Sequence, residues 1–71
     1  MDFTPVTSST IKEVAYEEEL RKLFIRFNNE RLYTYSDVSK RVHTELINAV
    51  SVGKYFHANI KGQFAFEKME E

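Results

Sequence analysis

The residues predict an α+β domain: a small antiparallel sheet of three or four strands packed with one helix or a broken helix pair. Three observations carry this expectation. Residues 8–35 are rich in β-branched and aromatic side chains that partly alternate with polar ones, the period of a strand. From Val38 onward the apolar residues recur at helical spacing instead. Between the strand-like runs lie short polar clusters, Glu17-Glu18-Glu19 and Asn28-Asn29-Glu30, suited to tight turns.

Residues 1–7 read as an extended lead-in, with Pro5 steering Thr4 toward extended backbone. Residues 8–67 form the single domain, and residues 68–71 a frayed tail. Ser8 to Tyr16 is the first strand. Glu17-Glu18-Glu19 is a solvated turn, because consecutive carboxylates on a loop do not by themselves converge on a metal. Leu20 to Phe27 is the second strand, with Leu23, Ile25 and Phe27 on one side and Lys22, Phe24 and Arg26 on the other. Arg31 to Tyr35 is the third.

The turn between these last two strands decides where Tyr33 and Tyr35 face. A two-residue turn groups Leu32 with Leu23, Ile25 and Phe27, and places both tyrosines with Phe24 and Arg26. A three-residue turn reverses this and sends both tyrosines into the core. The two-residue register is favoured, because it collects four apolar residues on one side.

The helix is expected to begin near Val38 or Ser39, with Asp37 capping it and Val42, Leu46, Ala49 and Val50 along its apolar stripe. Ser51-Val52-Gly53 interrupts it. Either Gly53 closes the helix as a left-handed cap, or Ser51 caps a second short helix that runs to Ile60. Gly62 ends that segment, and Gln63 to Glu67 alternates as a short final strand or a strap over the core. The predicted core is Leu23, Ile25, Phe27, Leu32, Val42, Leu46 and Val50.

Composition narrows the function. A chain of 71 residues buries only about 60% of its unfolded surface, so the core is thin. Six Phe and four Tyr supply it. With no cysteine there is no disulfide, thiolate metal site or thiol nucleophile. Met1 to Pro5 lacks the features of a signal peptide, and no window reaches membrane-spanning length, so a soluble, cytoplasmic protein is expected. The formal charge of −1 argues against a strong general polyanion binder. Residues 31–66, however, carry five Lys/Arg against two acids, which makes the middle of the chain locally basic.

No enzyme, cofactor or metal is expected. His43 and His57 lack both a nucleophile elbow and the i, i+4 spacing of a helical metal pair. Ser51-Val52-Gly53-Lys54 is a weak anion-binding signal at best, and a tight helix–helix corner ranks ahead of it. Phe24, Tyr33 and Tyr35 with Arg26 resemble the base-stacking platforms of single-strand RNA binders. The alternative is that helices cover this face and the rings are core.

The segment from Phe27 to Val38, followed by that from Ala49 to Lys61, is similar to the KTSC domain. This small domain is named after the C-terminus of some lysyl-tRNA synthetases and also occurs free-standing in bacteria and phages. The resemblance rests on Tyr33-Thr34-Tyr35, on Ser51-x-Gly53-x-Tyr55-Phe56, on Ile60-Lys61, and on Ser8-Ser9 before the first strand. Departures are Glu30 where the family commonly has glycine, Ser39 where it often has proline, His57 for asparagine and Phe64 for tyrosine. The missing glycine places Glu30 at an expected positive φ.

The resemblance implies a small non-enzymatic binding module, with RNA or another nucleic acid or nucleotide as ligand. Candidate contacts on the sheet are Phe24, Arg26, Tyr33 and Tyr35. Those on the second helical segment are Ser51, Gly53, Lys54, Tyr55, Asn59 and Lys61. The alternative is a small interaction protein, phage-encoded or bacterial, that binds a host protein or a nucleotide-like ligand. Near-neutral charge favours that alternative; the aromatic and basic middle favours nucleic acid. The oligomeric state is left open.

Overall fold

Asn28, Asn29 and Glu30 set the register of the central hairpin. In the computed structural model, which describes residues 2–69, the Phe27 amide donates to the Arg31 carbonyl and the Glu30 amide to the Phe27 carbonyl, both at 2.9 Å. This is a three-residue loop whose last residue is left-handed, with Glu30 at φ 72°. The side-chain oxygen of Asn29 accepts from the Arg31 amide at 3.0 Å. Strands β3 (Lys22–Phe27) and β4 (Leu32–Tyr35) therefore pair with Leu23 opposite Tyr35 and Ile25 opposite Tyr33.

Directly opposed residues share a face, so both tyrosines join Leu23, Ile25 and Phe27. The favoured two-residue register is overturned, and Leu32 moves to the face of Phe24 and Arg26. A type I′ two-residue loop needs two left-handed residues, whereas the observed loop needs only Glu30, and its register buries Tyr35 to 5% exposure.

The sheet has five strands rather than three or four, all antiparallel, in the order β1 (Thr4–Pro5), β2 (Ile11–Glu17), β3, β4 and β5 (Phe66–Met69). Both chain ends supply an edge strand. Thr4 pairs with Val14, so the lead-in joins the sheet. Proline is tolerated there because an edge strand has an unpaired side. Tyr35 pairs with Phe66 and Leu32 with Met69, so Lys68 and Met69 are strand residues and not tail. The rest of the expected tail, Glu70 and Glu71, lies outside the described residues.

Two helices follow β4, α1 (Lys40–Ile47) and α2 (Val52–Asn59). Ser39, not Asp37, caps α1 by accepting from the Val42 amide at 3.4 Å. Asp37 sits at φ 60° and faces Arg21 at 3.2 Å. Asn48 ends α1, which leaves Val50 in the connection, exposed and outside the core. Ser51 caps α2 by accepting from the Lys54 amide at 3.3 Å. Gly53 thus lies in the first turn of α2 and is not a left-handed cap; a Cβ there would stand 3.4 Å from the Ser8 hydroxyl.

Both helices pack on the face that carries Val14, Leu23, Ile25 and Tyr35, and bury Val38, Leu46, Val52, Phe56 and Ile60 against it. Phe27 and Val42 sit at the margin of this core. Among the described residues the opposite face carries no helix. There Arg26 pairs with Glu13 at 3.0 Å, and its guanidinium lies 5.6 Å from the centre of the Phe3 ring. No helix among the described residues is long and apolar enough to cross a membrane.

Candidate functional site

The three-residue hairpin loop carries Tyr33 and Tyr35 onto the helix-bearing face. Phe56 of α2 meets Tyr35 edge-on at 5.7 Å and Phe27 at 5.5 Å. From the edge strand, Phe66 stands 5.9 Å from each tyrosine ring. Phe66 is still 61% exposed, so this end of the face is open. The result is a basin of about 390 Å³, floored by Phe27, Tyr33, Tyr35, Phe56 and Phe66. Thr10, Asn29, Arg31, His57 and Lys61 stand around it. Binding pockets for small ligands fall in this size range, with apolar walls and a few polar groups.

The hydroxyl groups separate the four tyrosines into two pairs. Tyr16 donates to the Val38 carbonyl at 2.6 Å, and Tyr55 to Glu45 Oε1 at 2.8 Å. Those of Tyr33 and Tyr35 have no hydrogen-bond partner among the described residues. Burial, and then the neighbouring Tyr33, push the Tyr35 hydroxyl up to about 12. Like any tyrosine it is protonated at neutral pH and so is a donor, in a ring that is 5% exposed.

The cations are divided as well. Lys12, Arg21, Arg26, Lys40 and Arg41 each face a carboxylate at 2.6–3.3 Å. Arg31 and Lys61, beside the basin, have no ion-pair partner among the described residues. Among the described residues no Asp or Glu lines the basin, so an anion could approach both charges without displacing any of the described carboxylates.

Of the residues singled out from sequence, the structure brings Tyr33, Tyr35 and Lys61 together. Phe24 and Arg26 lie on the opposite face and are corrected out of the site, a direct consequence of the hairpin register. Ser51, Gly53 and Lys54 line a second recess of about 500 Å³ with Ser8, Ser9 and His57. Tyr55 is turned toward α1, where its bond holds the Glu45 carboxyl below its ordinary pKa, helped by Arg41. Asn59 is exposed and donates to the Tyr55 carbonyl at 3.2 Å.

Sequence reasoning missed Phe27, Phe56, Phe66 and Arg31 as parts of one site. The alternation Phe64-Ala65-Phe66 was a usable signal, but only the correct hairpin parity joins Phe66 to the tyrosines. His43 stacks on Tyr16 at 5.0 Å, and burial followed by Lys40 lowers its pKa.

Residues 7–64 match the KTSC domain family. A lysine–tRNA ligase of Trichormus variabilis is 43% identical over 61 residues, 86% of this chain but 11% of the ligase. A Nostoc lysine–tRNA ligase gives the same 43% identity and the same coverage of 86% and 11%. A protein of Tsukamurella paurometabola is 32% identical over 60 residues, 84% of this chain and 90% of that protein. The crystal structure of a KTSC domain protein from Yersinia pestis superposes with a TM-score of 0.94 at 36% identity, over 97% of both chains. The chain spans about 11% of the length of the ligases it matches. It belongs to the KTSC domain family.

Proposed function

As a member of that family the chain, we propose, is a small non-enzymatic binding module whose ligand is nucleic acid, RNA in the first instance. Bases stack against Phe66 and Tyr33, which keep exposed surface above the buried rings of Tyr35 and Phe56, and phosphates meet Arg31 and Lys61. The observation that carries this reading is the basin itself: aromatic in its floor and, among the described residues, free of lining carboxylates and flanked by cations without acidic partners. Stacking a base on an aromatic side chain is worth roughly 1–3 kcal/mol, and it tolerates any base because every base has a π-face. The unbonded hydroxyls of Tyr33 and Tyr35 supply donors for base edges.

The matched ligases are named for lysine and tRNA, which favours RNA over DNA and accords with a cytoplasmic place of action.

The test is chemical-shift mapping with short RNA, short DNA and mononucleotides. Expected are shifts at Tyr33, Tyr35, Lys61 and Phe66. If no nucleic acid or nucleotide moves these resonances, the reading fails and the alternative, a module that binds a protein partner, takes its place.

A further inference from the structure

The basin and the second recess adjoin, with Thr10 and His57 in the lining of both. Among the described residues, neither is lined by a carboxylate. Lys54 borders the second recess and, like Lys61 and Arg31, has no ion-pair partner among the described residues. Lys54 and His57, three residues apart in α2, share one side of the helix, and Lys61, past the C-cap at Ile60, lines the basin together with His57. The cations therefore border both recesses, which suits a run of backbone more than one phosphate. The second recess also presents the hydroxyls of Ser8, Ser9 and Ser51, donors that suit phosphate oxygens or sugar hydroxyls.

We propose that the ligand is a single strand of at least two nucleotides. One base enters the aromatic basin, and the phosphodiester backbone runs past Lys61 and His57 to Lys54 in the second recess. This rests on the nucleic-acid reading above and goes further by naming the form of the ligand and the path it takes. A single strand is required because a base held in a duplex cannot leave its stack to enter the basin without breaking pairing.

The experiment is a length series on the intact chain: a mononucleotide, a dinucleotide and a tetranucleotide of one RNA sequence, and the same tetranucleotide within a duplex, each at two salt concentrations. Affinity is expected to rise about tenfold or more from mononucleotide to tetranucleotide, and to fall when the strand is paired. In Lys54→Ala the rise with length should flatten, and the salt slope for the tetranucleotide should drop by about 0.7. Lys22→Ala removes a cation from the opposite face and should leave the whole series unchanged; a melting curve confirms that both variants fold. Equal affinity at every length, equal affinity for the duplex, or a Lys54→Ala series identical to wild type would overturn the strand path and leave a single-base pocket. Absence of binding at every length would instead overturn the nucleic-acid reading.

Discussion

The two faces of the sheet are both aromatic and both basic, yet they differ in what their groups already hold. On the helix-free face, Arg26 bonds Glu13 at 3.0 Å and the Glu30 carbonyl at 3.2 Å, and also covers Phe3. Phe24 is buried there by its own neighbours. On the helix-bearing face, Tyr33 and Tyr35 keep unbonded hydroxyls, Phe66 is largely exposed, and Arg31 and Lys61 lack acidic partners among the described residues. Composition does not separate these surfaces. Satisfaction of the polar groups does, and it marks the second face as the one with interactions still to make.

The largest effect should come from removing what makes the faces unequal. Leu46 is fully buried under α1, so Leu46→Ala should cost about 2–5 kcal/mol and unfold much of so small a domain. An unchanged melting temperature would mean that α1 does not hold the covered face.

The comparison is sharpened by one change on each side. Tyr33→Ala should weaken RNA binding about tenfold or more while the domain stays folded, measured by titration and thermal melting. Arg26→Ala should cost up to about 1 kcal/mol of stability, discounted for its partial exposure, with binding unchanged. If the two variants exchange phenotypes, the assignment of faces is wrong.

A smaller effect concerns Thr34 on the helix-free face, whose Oγ1 is buried without a protein partner. Thr34→Val exchanges that hydroxyl for a methyl group and should stabilise the fold by about 1 kcal/mol in urea unfolding. A loss of stability would show that the hydroxyl is satisfied in solution.

The smallest is a pH effect. Burial and Lys40 lower the His43 pKa below its usual 6.5, so the unfolded chain takes up the proton first. Stability from His43 is therefore present above about pH 6.5 and lost as pH falls through the folded-state value. The melting temperature should decline on acidification in that window, and His43→Gln should flatten the decline.

Much of this was legible in the residues. Alternation marked β2 and β3, spacing marked α1, and Ser51 announced the cap of a second helix as one of two options. Leu23, Ile25 and Leu46 were correctly placed in the core, and Tyr33, Tyr35 and Lys61 line one basin, although not on the face expected for the tyrosines. What failed was parity. The positive φ expected at Glu30 is observed, but it is compatible with a two-residue as well as a three-residue loop, so loop length stayed open and one residue of slip moved both tyrosines to the other face. Val50 continued the helical spacing, but Asn48 had already ended the helix. Alternation announced a final strand at Gln63 to Glu67 as one of two options, but β5 runs from Phe66 to Met69, and its pairing with β4 is a long-range one that local pattern does not carry.

The most direct test is where a bound nucleobase lies. Intermolecular NOEs from the base protons of a short single-stranded RNA should reach the rings of Tyr33 and Phe66 and be absent at Phe3 and Phe24. NOEs to Phe3 and Phe24, with none to Tyr33 or Phe66, would contradict the assignment of the helix-bearing face as the binding surface.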